Sequence, residues 1–340
     1  MITVNETLGQ YSELFMLLAA LTYTVSFIAF AADLVRAQKI TTAPAEPAQE
    51  PALATTGAPG TVEWTHGAGA VGKANDHHNA VVDDAMGYKA LRRPAARIGV
   101  AVGILGLVVH AAGVVTRGMA AHRVPWGNMY EFTTTGAMLV MAVFLTTLLF
   151  RDLRFLGTFI TGLVLVMLMA GAIAFPTPVA QLIPALQSYW LIIHVSVAVL
   201  SAAIFTLTFA LSVLQLAKTR QEKRGKPRTA GLLRLVPSPV SLEQLAYRLN
   251  AVGFILWTFT LMAGAIWAEA AWGRYWGWDT KEVWTFVIWV VYAGYLHARA
   301  TRGWDGTRAA WLSIIGYLCV IFNFAVVNVY FPGLHSYSGL

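Results

Sequence analysis

Residues 272–284 read WGRYWGWDTKEVW, a run of aromatic rings and charges set between two strongly apolar stretches, LMAGAIWAEAA at 261–271 and TFVIWVVYAGYL at 285–296. Such a run reads as the turn between two membrane-spanning helices. Six of the chain's twelve tryptophans fall between Trp267 and Trp289. An interfacial belt needs only one or two rings per helix end, because the amphipathic indole settles at headgroup level. The excess predicts a dense aromatic shelf carrying Arg274, Asp279, Lys281 and Glu282. That combination suits a flat, apolar ligand with a polar edge, stacked by rings on its face and met by charges at its rim.

The rest of the chain agrees. It has 340 residues, 57% of them hydrophobic and 12% charged, the composition of an integral membrane protein. Apolar runs long enough to span a bilayer occur near 12–35, 96–116, 129–150, 155–175, 189–217, 248–268, 283–299 and 309–330, eight in all. The predicted fold is all-α, a polytopic helical bundle of about eight transmembrane helices. Lipid supplies no hydrophobic force between helices, so packing must come from small residues.

Basic residues set the expected orientation, since Lys- and Arg-rich loops stay cytoplasmic. Arg36, Lys39, Arg92, Arg93 and Arg97 flank the first long connection, Arg151 and Arg154 the second, residues 218–234 the third, and Arg299, Arg302 and Arg308 the last. All can lie inside together. Both termini and the tryptophan run then face outside, in a multi-pass plasma-membrane protein whose active face is extracytoplasmic. The net charge of +7 is mostly this bias, which argues against nucleic-acid binding. The basic segment 216–238 is expected to attract anionic membrane lipid. No cleavable signal peptide is evident at the N-terminus, and no internal repeat is obvious. The domain reading is an N-terminal transmembrane helix over 1–36, a disordered cytoplasmic linker rich in Pro, Ala, Thr and Gly over 37–94, and a membrane domain over 95–340. His66, His77 and His78 belong to the solvated linker.

The one cysteine, Cys319, lies inside the eighth apolar run, so the chain has no internal disulfide, CxxC pair or thiolate cluster. Histidines are the better candidates, because ligating side chains inside a membrane are costly. His194 sits about five residues into the fifth run, roughly 7 Å below its outer end. His335 follows the eighth run on the same side. His297 comes fifteen residues after Glu282, roughly 22 Å deeper in a helix, and cannot share one iron with the other two. Each has a plainer alternative: a tail residue for His335, a cation favoured by the helix dipole for His297, a hydrogen-bonded core residue for His194. Local structural roles are expected for His110 and His122. Asp279 and Glu282 fit an N-cap followed by an acidic N3 residue, so capping accounts for them as readily as ligand binding.

Taken together, WGNMYE at 126–131, SYWLIIHVSVA around His194, the segment 267–299 and VNVYFPGLHSY at 327–337 resemble the tryptophan-rich haem-handling superfamily with its WWD signature. Within it they resemble the CcsA branch, also called ResC, or CcsB in actinobacteria, of system II cytochrome c biogenesis. The resemblance runs from about residue 95 to the C-terminus. Thr280 departs from the proline many relatives carry after Trp-Asp, a change the first turn of a helix tolerates.

The resemblance implies that His194 and His335 are external axial ligands of a haem b and that His297 is a ligand within the membrane. It further implies haem contacts by Trp272, Trp276, Trp278, Asp279, Trp284, Asn128 and Glu131. The expected activity is presentation of haem to the CxxCH segment of apocytochrome c as a component of a cytochrome c synthase, or haem lyase. The expected partner is a ResB-like (Ccs1) membrane subunit that completes the inner site, since no spanning histidine of this chain matches the depth of His297. Two rivals stand: a haem exporter without ligation activity, and a bis-histidine electron-transfer membrane protein.

Overall fold

A computed structural model of the chain describes residues 4–39, 86, 93–182, 186–225 and 232–335. The proposed linker over 37–94 lies almost wholly outside the described residues. Among the described residues eight long helices follow in chain order: α1 (Glu6–Lys39), α2 (Pro94–Ala121), α3 (Met129–Thr147), α4 (Gly157–Ala174), α5 (Tyr189–Lys223), α6 (Pro239–Trp272), α7 (Thr280–Arg302) and α8 (Gly306–Ile321). α8 continues through one π-helical turn, Phe322–Val327, into a last helical turn, Asn328–Tyr330. No strand occurs among the described residues.

Each expected apolar run lies on one of these helices. Seven of them are long and apolar enough to cross a membrane. The other, α7, has 23 residues, enough for about 34 Å, but carries Lys281, Glu282, His297, Arg299 and Arg302. Several helices outrun the apolar stretch that announced them. α6 begins at Pro239 because Ser238 caps it and the proline presets its first turn.

Small residues set the helix contacts, as packing in lipid requires. A Cβ on Gly106 would lie 2.6 Å from the Tyr23 ring, and one on Gly253 the same distance from Phe205. Serine hydroxyls tighten these seams: Ser12 and Ser26 of α1 donate to the Gly113 and Gly99 carbonyls of α2, and Ser201 of α5 to Gly253 of α6, each at 2.7 Å.

No repeat is obvious in the sequence, but the structure has one. α1–α4 and α5–α8 are built alike, with the first two helices paired along their length and the fourth returning against the first. The turn before the third helix uses one device twice. A left-handed residue ends the second helix, His122 in one half and Gly273 in the other. An arginine follows, Arg123 or Arg274, and pairs with the glutamate eight residues on, Glu131 or Glu282. That carboxylate also takes a glycine N–H, from Gly127 at 2.7 Å or Gly277 at 2.9 Å. The repeat is faint in the sequence because caps and small-residue seams accept several residue types, leaving only Arg, Trp-Gly and Glu alike in the two turns.

Candidate functional site

Both repeated turns lie at the same end of the bundle, with the start of α5 and the segment after α8. Between the halves a cavity of about 380 Å³ opens at that end and runs inward along α3, α5 and α8. Its wall includes His194, His335, Trp276 and Asn128 among the residues expected at the site.

His194 projects from the first turns of α5 onto α6. Its Nδ1 lies 3.0 Å from the Thr260 carbonyl, an acceptor only, so the proton is on Nδ1 and Nε2 keeps a lone pair. Gly264, one turn on from Thr260, makes the room: a Cβ there would meet the imidazole Cε1 at 2.7 Å and Nδ1 at 2.9 Å. Trp267 stacks on the same imidazole, ring centres 5.9 Å apart and planes 8° from parallel.

His335 arrives from the other side. Its Nδ1 donates to Asp279 Oδ2 at 2.7 Å, and the Leu334 N–H donates to Oδ1 at 3.1 Å, so the cap of α7 also anchors the segment after α8. The hydrogen bond from His335 holds the Asp279 carboxyl below its usual range, although burial works the other way. Because the folded value is depressed, this anchor is complete above the ordinary carboxylate range and is lost only as pH falls through the lowered value. Trp267 and Trp272 both meet the His335 ring edge to face, at 5.5 Å and 4.9 Å between centres. Each imidazole therefore has its Nδ1 engaged and its Nε2 without a partner among the described residues. Ligating histidines in metal sites are oriented in this way.

The other expected residues divide. Trp272 supports His335 from outside the cavity wall and carries the Arg274 guanidinium over its ring. Trp284 packs on Phe322, with 4.2 Å between centres. Trp278 is 70% exposed with φ at +60°, uncommon for a bulky residue, and this turn lets Glu282 take both the Gly277 and Asp279 N–H groups. The capping box expected at Asp279 and Glu282 is present. Asn128 caps α3 by accepting from Glu131 N while lining the cavity. Glu131 lies outside the wall, fully buried between Arg117 and Arg123. His297 is exposed on the flank of α7, far from His194 and His335. His110 is buried against Tyr23, and His122 is the left-handed cap of α2, both structural placements.

Several lining residues carry no signal outside the tryptophan run. Trp126 before α3 and Met129 and Phe132 in its first turn line the cavity, with Asn323, Phe324 and Asn328 of the π-turn region. Trp267 was findable, because Thr260, Gly264 and Trp267 recur at helical spacing on one face of α6. The π-helical turn was not, since it depends on packing rather than on a residue pattern.

Geometry thus defines a helical membrane protein with two poised imidazoles and an aromatic cavity at one end. The pattern of the cytochrome c assembly protein family matches residues 126–335, which contain every element of that cavity. Proteins named cytochrome c biogenesis protein CcsA are 34% identical in Guillardia theta, over 72% of this chain and 86% of theirs, and in Synechococcus elongatus, over 70% and 87%. The counterpart in Chlamydomonas reinhardtii is 34% identical over 63% of this chain and 61% of its own length. The chain belongs to the CcsA family of cytochrome c biogenesis proteins.

Proposed function

We propose that this protein binds haem b as a substrate between His194 and His335 and presents it on the extracytoplasmic side for attachment to apocytochrome c. The observation that carries this is the pair of Nδ1 anchors, a backbone carbonyl for His194 and the Asp279 carboxylate for His335, which leave both Nε2 atoms free at one cavity. The cavity volume lies within the range of small-molecule sites, and its wall is mainly aromatic and aliphatic, as a porphyrin face requires. Each thiol of a CxxCH segment adds across one haem vinyl group, forming a C–S and a C–H bond with no net electron transfer. The chain contributes orientation and iron ligation rather than a nucleophile.

His297, exposed on α7 and remote from this cavity, supplies one ligand of an inner haem site completed by a ResB-like partner. The test is co-expression of the chain and that partner with an apocytochrome. Covalent haem that survives acid–acetone extraction is the expected product; extractable haem alone identifies an exporter or an electron carrier.

The orientation rests on the basic residues gathered at the end away from the cavity, Arg151, Arg154, Arg299, Arg302 and Arg308 among them. In a Cys319→Ser background, Tyr275→Cys, in the exposed outer turn, is expected to react with an impermeant thiol reagent in intact cells, and Arg151→Cys only after lysis. The opposite pattern would overturn the placement of the haem face.

A further inference from the structure

Lys281 is the cation of the cavity wall for which the capping chemistry of the tryptophan run gives no role. It stands at the second position of α7, and its ammonium reaches across to the π-turn region of α8. There Nζ donates to the Asn323 carbonyl at 2.8 Å and to Asn328 Oδ1 at 2.7 Å. Both acceptors are neutral. The neighbouring carboxylates are engaged elsewhere, Asp279 with His335 and the Leu334 N–H, Glu282 with Arg274 and two backbone N–H groups. Among the described residues Lys281 forms no ion pair, and its third N–H has no protein acceptor. Asp279, already shared with His335 and the Leu334 N–H, is the carboxylate whose charge reaches the ammonium, and a cation facing a largely apolar cavity with no ion pair of its own is costly. The cost falls when a ligand brings the negative charge.

We propose that Lys281, held by Asn323 and Asn328, is a carboxylate-binding subsite of this cavity that takes a propionate of the haem. This rests on the haem reading above and adds the polar end of the ligand to it. Histidines fix the iron but leave the porphyrin free to turn about the axis between them. A carboxylate held at one point of the wall removes that freedom, and so sets which vinyl groups face the open end. An ammonium bound to two oxygens has one donor left, aimed by the other two, so the subsite is preorganised. A purely structural role, tying α7 to the π-turn, needs the two hydrogen bonds but not the charge, which makes Lys281→Gln the informative variant.

The experiment titrates the purified full-length chain in detergent with haem and with haem dimethyl ester, which keeps the iron and the ring but lacks both carboxylates. Low-spin bis-histidine absorbance is the readout. Wild type is expected to bind haem about ten-fold or more tighter than the ester, the effect of one desolvated charge-assisted contact. Lys281→Gln is expected to bind the two ligands about equally, and Lys281→Arg to keep most of the preference. Equal binding of haem and ester by wild type overturns the subsite, and needs no variant to fold. So does an undiminished preference in a Lys281→Gln protein that stays monodisperse. If wild type binds neither ligand with a bis-histidine spectrum, the haem reading itself fails, and the subsite with it.

Discussion

His194→Ala and His335→Ala are each expected to abolish holocytochrome formation, or to reduce it by a factor of a hundred or more, while the protein still accumulates in the membrane. Each imidazole is a free Nε2 behind an anchored Nδ1, and no other histidine among the described residues lines the cavity to replace it. Added imidazole should restore part of the activity in either variant, because removing the ring leaves a hole of its own shape beside Trp267. Asp279→Asn should weaken rather than abolish, since the amide still accepts from Nδ1 but lacks the charge that orients the ring. Gly264→Ala is the corresponding test for His194: the new methyl meets the imidazole at 2.7 Å, a clash typically worth about 1–3 kcal/mol when the neighbour must move. It should lower haem retention without removing a ligand, and imidazole should not rescue it, because the site stays filled. Full activity of both alanine variants would end the bis-histidine assignment.

The sequence disclosed the parts of this arrangement that depend on residue type and local spacing. Apolar runs locate all eight helices, because a helix facing lipid must be apolar over most of its length. Asp279 and Glu282 announce the start of α7, and histidines in apolar surroundings are conspicuous. What remained hidden depends on which helix meets which. Part of the cavity wall comes from α3 and the π-turn, about 190 residues apart, and nothing local marks Phe132 and Phe324 as neighbours with ring centres at 4.6 Å. The halves of the molecule share a plan, yet their seams use Gly106 against Tyr23 in one and Gly264 against His194 in the other. A glycine under a ring is the common element, and the ring is free to become a ligand. In that sense the proposed ligand His194 sits in a seam contact of the second half.

Glu131 shows the reverse case, a residue that family resemblance places at the haem and geometry places outside the cavity wall. Its carboxylate takes Arg117 Nε at 3.1 Å, both terminal nitrogens of Arg123 at 2.7 Å and 3.0 Å, and the Gly127 N–H at 2.7 Å. The arginines continue outward, Arg117 to the Thr177 carbonyl and Arg123 to that of Ala180, so the cluster fastens the segment after α4 onto the turn between α2 and α3. Glu131 and Arg117 are at most 1% exposed. Removing one member of a buried pair leaves an uncompensated charge, which costs about 3–5 kcal/mol. Glu131→Ala should therefore be among the most destabilising single changes in this half of the protein, with a clear drop in thermal stability in detergent and in membrane level. Glu131→Gln should be milder but still destabilising, because the amide can keep the Gly127 contact but not the charge of the two arginines. In both variants the fraction that remains folded should keep its bis-histidine haem spectrum, since the carboxylate does not reach the cavity. A variant that folds with wild-type stability yet fails to hold haem would return Glu131 to the site and displace the structural role argued for it here.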